Sequence, residues 1–172
     1  MEIKTYGAEI LNKKAVEVTE ITDDLKKIIE EMIIECPKAN GIGLAAPQIG
    51  MSKRFFVVTM LDHENEQGDM VKGFKEAFIN PEITEKKGSI KMEEGCLSVP
   101  GIYEIVERPE EITINYTDIN GVNKTLDADG MLARVILHEY DHLDGILFIS
   151  KIPQMKKDLI RKKLRNMKKK ND

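Results

Sequence analysis

The chain has 172 residues, of which 41% are hydrophobic and 33% are charged, a composition typical of a globular domain that buries a core. No apolar run approaches the roughly 20 residues that a membrane-spanning helix needs, and the first residues lack the basic and apolar segments of a secretory signal. We therefore exclude a membrane protein and expect a cytoplasmic protein with a single domain over residues 1–172.

The net charge of −4 is unevenly distributed along the chain. Residues 151–172 contain ten Lys/Arg and two Asp, a net charge of +8, which leaves −12 for residues 1–150. A basic terminus on an acidic body indicates attraction to a polyanion such as RNA or a membrane surface. The alternative is a solvated helical end that aids solubility, and charge alone does not separate the two.

The first half of the chain predicts a helix, a loop and a strand in that order. Apolar residues recur at helical spacing over Thr22–Glu35, and Pro37 follows the predicted end. Asn40–Gly50 is rich in glycine and is predicted to be a loop. Arg54–Leu61 is β-branched and aromatic, which indicates a buried strand. Residues 62–73 are polar and are predicted to form an exposed loop.

The second half predicts short strands and two more helices. The predicted strands are Ala77–Asn80, Glu82–Lys86, Ile102–Val106, Glu111–Tyr116, Asn123–Asp127 and Ile146–Ile149. A helix with an apolar stripe begins at Asp129 or Gly130 and stops at Gly145, and a basic amphipathic helix covers about 153–170. Because strands and helices do not alternate regularly, we expect an α+β fold, with short antiparallel strands around a central helix and helices near both ends.

Two histidines, His138 and His142, lie four residues apart on the predicted central helix. This spacing places both imidazoles on one face, where they can bind one metal ion. Glu139 lies beside the first histidine, and a carboxylate there can act as a general base toward a metal-activated water. The pattern also occurs by chance. Here it uses two of only three histidines in the chain, so metal binding is favoured.

A catalytic metal site needs a third protein ligand. The sequence offers His63, Asp144, Asp158 and Cys96. Cys96 is favoured because the neighbouring Gly95 allows the backbone to approach a ligand closely. A thiolate with two imidazoles suits Fe(II), Zn(II), Co(II) or Ni(II). A buried core thiol is the alternative for Cys96, and Cys36, at the end of a predicted helix, is expected to be structural.

The segment Gly41–Gln48 is built largely of small residues. Such a loop lets a substrate backbone pack against the chain, and Gln48 can donate an amide hydrogen bond. A tight turn without a function is the alternative interpretation. The segment lacks the Lys-Ser/Thr ending of a phosphate-binding loop, so nucleotide binding is not supported.

Taken together, Gly41–Gln48, Glu94–Ser98 and His138–His142 resemble, in order and spacing, the three signature motifs of peptide deformylases. The resemblance covers nearly the whole chain, and the basic terminal helix resembles that of the bacterial type. One departure is Leu137, which stands where the family commonly has Gln. This position is not a metal ligand in the family pattern, so the departure concerns local hydrogen bonding and the substrate pocket.

The resemblance implies hydrolysis of the N-formyl group from the N-terminal formylmethionine of newly made proteins, with release of formate. It implies that Cys96, His138 and His142 bind one divalent metal ion. In the family this ion is typically Fe(II), and Zn(II), Ni(II) or Co(II) can substitute for it.

The resemblance also assigns catalytic and substrate-binding residues. Glu139 would take a proton from the attacking water and pass it to the departing amine. The amide of Gln48 and the backbone N–H of Leu97 would stabilise the oxyanion together with the metal. The substrate cleft would be lined by Ile42, Gly43, Gly95 and Val135, the last of these bordering the methionine pocket.

The expected partners are N-formylmethionyl nascent peptides and, through the basic helix, the ribosome near its tunnel exit. We expect a monomer that makes no contact with a membrane. Two other functions remain possible from the sequence. One is a protease that uses the same helix with another third ligand, and the other is a non-catalytic, metal-stabilised binding module. Glu139 argues against the module, because a purely structural site needs no base beside an open metal position.

Overall fold

The computed structural model describes residues 1–64 and 67–169, and their elements form an α+β fold, as the sequence predicts. The α-helices are α1 (Asp23–Lys38), α2 (Gly130–Leu143) and α3 (Gln154–Lys168). The strands are β1 (Gly43–Ala45), β2 (Phe55–Met60), β3 (His63–Glu64), β4 (Met70–Val71), β5 (Phe74–Lys87), β6 (Ile90–Gly95), β7 (Tyr103–Arg108), β8 (Glu111–Thr117) and β9 (Asn123–Asp129). Short 3₁₀ helices cover Glu9–Asn12, Ala46–Ile49 and Phe148–Ser150.

A five-stranded antiparallel sheet in the order β1-β2-β5-β8-β9 forms the centre of the fold. β2 is apolar on both faces because helices cover both sides of the sheet. Phe56 and Val58 belong to the cluster that includes Ile136 of α2. Phe55 and Val57 belong to the cluster that includes the buried residues of α1. The sheet therefore lies between α1 and α2, with α2 at the centre of the molecule.

The strands β6 and β7 form a separate two-stranded sheet, an antiparallel hairpin in which Gly95 lies opposite Tyr103. The hairpin is part of a third apolar cluster. This cluster contains Val106 from β7, Phe148 from the last 3₁₀ helix and Ile160 from α3. The sequence motif around Cys96 follows directly after β6. The architecture therefore brings the hairpin, carrying one sequence motif, beside α2, which carries another.

Helix α1 begins where the sequence predicts and ends later. Its N-cap is Thr22, whose Oγ1 accepts a hydrogen bond from the Leu25 N–H at 3.2 Å. The helix continues through Pro37 to Lys38 instead of ending before the proline. Backbone hydrogen bonds around Pro37 support this last turn, since the Ala39 N–H still donates to the Glu35 carbonyl at 3.1 Å.

Several predicted elements differ from the structure. Ala77–Asn80 and Glu82–Lys86 are parts of one strand, β5, whose pairing with β8 shifts register between them. The predicted loop at Asn40–Gly50 contains β1 and a 3₁₀ helix. The predicted exposed loop at 62–73 contains β3 and β4.

The strand predicted at Ile146–Ile149 is wrong. The segment leads into the 3₁₀ helix Phe148–Ser150, and its apolar side chains are buried against α3 and not in a sheet. Helix α3 ends at Lys168, and the predicted final residue of this helix, Lys170, lies outside the described residues. Within the described ranges, the helices are too short or too polar to span a bilayer.

Candidate metal centre and active site

The three residues expected to bind metal lie together between the hairpin and α2. One potential ligand atom from each of Cys96, His138 and His142 lies within 4.8 Å of the other two. The Sγ of Cys96 is 3.3 Å from the Nε2 of His142, and the two imidazole rings are 5.0 Å apart at an angle of 75°. Soft thiolate and borderline imidazole donors at this spacing fit one divalent transition-metal ion.

Both histidines are buried, but they differ in the hydrogen bonds of their Nδ1 atoms. The Nδ1 of His138 is 3.0 Å from the Oε2 of Glu94, which directs its other ring nitrogen toward the candidate site. His142 is 1% exposed, and its Nδ1 has no hydrogen-bond partner among the described residues. Burial and the nearby His138 lower the pKa of His142 well below its usual value. The pKa of His142 thus favours the neutral imidazole that a metal ligand requires. Although burial opposes it, hydrogen bonds to Cys96 and Glu94 raise the pKa of His138 well above its usual value, so an ion that binds there has to displace a proton.

A buried network of charges surrounds Glu94 and was not anticipated from the sequence. Arg108 donates to both oxygens of this carboxylate, from Nε at 2.5 Å and from Nη2 at 2.9 Å. Arg134 donates to Oε1 from Nη1 at 2.6 Å, and a further nitrogen of Arg108 donates to Asp141 at 2.7 Å. Burial opposes ionisation of Glu94, but the hydrogen bonds from Arg108 and His138 bring its pKa well below the usual range. Glu94 is thus ionised and can hold the Nδ1–H of His138.

Glu139 lies next to His138 on α2 and against β1. Its side chain is 4% exposed, and its Oε2 has no hydrogen-bond partner within the described chain. A Cβ atom on Gly43 would lie 2.5 Å from the Oε1 of Glu139, so only glycine leaves room for this carboxylate. Burial raises the pKa of Glu139 to about 7. A carboxylate with this pKa can both accept and release a proton near neutral pH.

Gln48 lies beside Cys96. Its Oε1 accepts a hydrogen bond from the Ala45 N–H at 2.8 Å, which fixes the orientation of the amide group. Its Nε2 lies 3.1 Å from the Oγ of Ser98 and 3.6 Å from the Sγ of Cys96. The amide donor of Gln48 therefore points at Ser98 and at Cys96, one of the three candidate ligands.

A cavity of about 480 Å³ opens onto this group of residues. The expected site residues that line it are Ile42, Gly43, Gln48, Gly95, Cys96, Leu97, Val135, His138 and Glu139. Ile42 is 45% exposed at the rim, whereas Val135 is 4% exposed on α2. Tyr103 packs over Gly95 so closely that a Cβ there would lie 2.5 Å from the tyrosine ring. The structure therefore places the expected substrate-binding residues around one opening.

The other candidate ligands lie elsewhere or are already paired. His63 is exposed in β3, and the carboxylate of Asp144 accepts a hydrogen bond from Arg54 at 2.8 Å. Asp158 pairs with Arg161 on the exposed side of α3. Cys36 is fully buried in α1, and burial raises the pKa of its thiol to about 11. None of these four side chains belongs to the metal-binding group found among the described residues.

Leu137, the departure from the family pattern, is 5% exposed and belongs to the apolar cluster between α2 and the sheet. It is not among the residues that line the cavity. A leucine in this cluster needs no hydrogen-bond partner, whereas a buried glutamine would. The replacement is thus compatible with its surroundings and leaves the candidate ligands unchanged.

Sequence reasoning missed the roles of Glu94, Arg108 and Arg134. Each is at most 6% exposed, and each depends on partners that are distant in sequence. One signal was available for Arg134, because it lies four residues before His138 and so shares a face of α2 with it. A charged side chain on the buried face of a helix requires an oppositely charged partner. Arg134 therefore predicts a buried carboxylate, although not which one.

Comparisons with known proteins agree with this geometry. The profile of the family described as "Polypeptide deformylase" matches residues 1–158. A peptide deformylase of Thermodesulfovibrio yellowstonii is 47% identical over 168 residues, which cover 98% of both chains.

Solved structures of peptide deformylases are also similar to this chain. A structure of Arabidopsis thaliana peptide deformylase 1B with an inhibitor is 34% identical, has a TM-score of 0.88 and covers 99% of this chain and 92% of its own. An inhibitor complex of Plasmodium falciparum peptide deformylase is 38% identical, has a TM-score of 0.83 and covers 96% of this chain and 98% of its own. The chain therefore belongs to the peptide deformylase family, hydrolases that use a divalent metal ion to remove the N-formyl group from nascent peptides.

Proposed function

We propose that Cys96, His138 and His142 hold the divalent ion and that Glu139 is the general base of the deformylation reaction. The observation that carries this proposal is the convergence of the three potential ligand atoms within 4.8 Å beside a buried carboxylate, with Cys96, His138 and Glu139 lining one cavity. One further feature fits a bound cation. The buried Oε2 of Glu139 has no protein partner in the described residues.

The reaction is the attack of water on the formyl carbon, followed by cleavage of the C–N bond to give formate and a free amine. A divalent ion in this site would supply Lewis-acid chemistry, acidifying water and polarising the formyl oxygen. Glu139 accepts the proton that the attacking water loses and then delivers it to the departing nitrogen. Its pKa of about 7 suits both transfers.

We assign stabilisation of the developing oxyanion to two groups of the chain, the side-chain amide of Gln48 and the backbone N–H of Leu97. Both residues line the cavity, and the amide of Gln48 is fixed by its bond to the Ala45 N–H. A donor that is held in place before the reaction does not have to reorganise as charge develops, which is the main source of such stabilisation.

Ile42, Gly43 and Gly95 form the walls that receive the peptide backbone in this proposal, and Val135 borders the pocket for the methionine side chain. Gly43 and Gly95 come from β1 and β6, and both line the cavity. β1 is the terminal strand of its sheet, so one of its edges is available for hydrogen bonding to an extended peptide. Anchoring the methionine side chain then places the formyl carbon near the ligands.

Fe(II) is the ion that we propose for the cell, with Zn(II), Ni(II) or Co(II) as substitutes. One thiolate and two imidazoles bind all four ions, so the proposal rests on the resemblance to the family and not on the donor set alone.

We further propose that the chain is a single cytoplasmic domain over residues 1–172 that acts as a monomer and docks on the ribosome near its tunnel exit through α3. Lys156 pairs with Glu104 at 3.4 Å, and Lys157 donates to the Ser150 carbonyl at 2.8 Å. Lys162 and Lys163 are exposed and make no ion pair with the described residues. These free cations support contact with a polyanion.

Deletion of residues 154–172 should abolish salt-sensitive co-sedimentation with ribosomes, and unchanged binding would refute the docking proposal.

The experiment that tests the reaction is formate release from a formyl-methionyl peptide by protein loaded anaerobically with Fe(II). The control is Glu139→Gln, which keeps the size of the side chain but removes the base. Rapid release by the unmodified protein and a loss on the order of 10³-fold in the variant would support the proposal. Equal release by both would leave the reaction in place but refute the role of Glu139. No release by metal-loaded, folded protein would refute the proposed function.

A further inference from the structure

Arg134 is a buried cation on α2 that does not belong to the proposed ligands, base or oxyanion donors. It is 3% exposed and lies one helical turn before His138. Its guanidinium makes three hydrogen bonds: Nη1 donates to the Oε1 of Glu94 at 2.6 Å and to the Val106 carbonyl at 3.0 Å, and Nη2 donates to the Ile90 carbonyl at 2.8 Å. All three acceptors belong to the β6–β7 hairpin.

These bonds cross the boundary on which the candidate metal site depends. Cys96 follows β6, whereas His138 and His142 belong to α2, so the site exists only if hairpin and helix keep a fixed separation. The hairpin is a sheet of its own, and in the described chain neither of its strands pairs with the five-stranded sheet. Its position against α2 is therefore not set by strand pairing and falls to side chains.

Arg108 cannot substitute for Arg134 in this role. Arg108 and Glu94 are both on the hairpin, so their bidentate pair holds β7 to β6. Arg108 reaches α2 through one bond, to Asp141 at 2.7 Å. Arg134 starts on α2 and binds the hairpin at its beginning (Ile90), on its second strand (Val106) and beside Cys96 (Glu94). Because the guanidinium is planar, three hydrogen bonds to it define both the distance between the hairpin and α2 and their relative orientation.

We infer that Arg134 is a positioning residue, which sets the distance and orientation of the hairpin carrying Cys96 relative to the helix carrying His138 and His142. It acts through the hairpin and through Glu94, and it does not bind the ion. The inference rests on the proposed metal-binding role of Cys96 and the two histidines. It predicts that loss of Arg134 changes the geometry and affinity of the site even when the protein remains folded.

Two properties of full-length protein test the inference without any activity measurement: affinity for Co(II), by chelator competition, and the visible absorption of the Co(II) protein, which reports thiolate–imidazole geometry. Arg134→Met should weaken Co(II) binding by roughly 10- to 100-fold and shift the absorption bands. Arg134→Lys should recover part of the affinity, because a lysine supplies the charge but not the planar set of three donors.

The matched control is Arg54→Met, which removes another buried arginine that also contacts α2, at its opposite end. Arg54 donates to Asp144 at 2.8 Å and to the Leu143 carbonyl at 3.3 Å. Its loss should lower the free energy of unfolding yet leave Co(II) affinity within about threefold and the spectrum unchanged.

An Arg134→Met protein with the affinity and spectrum of the unmodified protein would overturn the inference. Equal loss of affinity in Arg54→Met would also overturn it, because general destabilisation would then explain both. If Arg134→Met does not fold, Arg134→Lys compared with Arg54→Lys decides the matter by the same criteria. Failure of the unmodified protein to bind Co(II) would instead refute the proposed metal site itself, together with any role for Arg134 in it.

Discussion

Helices α2 and α3 are almost equal in length, at 14 and 15 residues, yet they place their charged side chains in opposite environments. Nine residues of α2 are buried, among them Arg134, His138 and Glu139, whereas Ile160 is the one buried residue of α3. In α2 the buried ionisable groups lie in the protein interior, where Arg134 and His138 contact specific partners. In α3 the basic groups face solvent, and the helix attaches to the protein through a narrow apolar stripe.

This difference determines what single charges can do in each helix. In the interior, a charge without a partner is costly, so each one is held in a defined position. At the surface, water and salt screen each charge, so positions are loose and only the sum of charges matters. We therefore expect substitutions near α2 to have large and individual effects and substitutions in α3 to have small and collective ones.

The largest effect is expected for His142→Ala in α2. Loss of this imidazole leaves two potential ligands and a cavity beside Cys96, so the ion should bind weakly and formate release should fall on the order of 10³-fold or more. Metal content after gel filtration and formate release measure this. His63→Ala removes the histidine in the exposed strand β3 and should behave like the unmodified protein. Retention of a full equivalent of metal by His142→Ala would exclude this residue as a ligand.

A second large effect is expected for Glu94→Gln, measured on metal-free protein. The change leaves Arg108 and Arg134 buried beside a neutral amide, and such a break in a buried ion pair costs about 3–5 kcal/mol. Urea unfolding should show this loss in the free energy of unfolding. Glu107→Gln, on the exposed face of β7, should cost less than about 1 kcal/mol. A loss of similar size in both variants would show that breaking the buried ion pairs of Glu94 costs no more than breaking an ion pair at the surface.

The same contrast explains how much could be predicted from the sequence. Helix α2 and the convergence of His138 and His142 followed from helical periodicity, because both residues share one face. Strand β6 was missed because its inward position at Glu94 carries a charge, which breaks the apolar alternation that identifies a half-buried strand. Its arginine partners lie 14 and 40 residues away, and nothing in the local sequence indicates that they meet.

Tertiary packing also misled the prediction at Ile146–Ile149. The segment is apolar because Leu147, Phe148 and Ile149 are buried in the cluster with Ile160 of α3. A short apolar run is compatible with a strand or with any other buried segment, and periodicity cannot separate them. The burial of this run depends on its packing against α3, an element that comes later in the chain.

An intermediate effect is expected for Gly43→Ala, at the point where β1 meets Glu139. The added Cβ would lie 2.5 Å from the Oε1 and 2.8 Å from the Cγ of Glu139, so this side chain must move. A displacement of about 1 Å at a catalytic group can lower kcat on the order of 10²-fold, with metal content unchanged.

Gly121→Ala provides the comparison for this prediction. Gly121 has a φ of 82° in the turn between β8 and β9, and no atom lies within 4 Å of an added Cβ. Alanine should therefore strain the turn and reduce stability without changing kcat. If Gly43→Ala kept full kcat, the close contact between β1 and Glu139 would have no role in placing the base.

The smallest effect on stability is expected in α3, for the double variant Lys162→Glu, Lys163→Glu. Both side chains are exposed, so the free energy of unfolding should change by less than about 0.5 kcal/mol per site and formate release from a short peptide should not change. Ribosome co-sedimentation should nevertheless weaken, and its dependence on salt concentration should become shallower, because fewer cations displace counterions from RNA. Lys14→Glu with Lys86→Glu changes net charge equally at exposed positions outside α3 and should leave binding nearly intact. Equal weakening in both double variants would mean that the net charge of the protein, and not the placement of cations on α3, governs the contact.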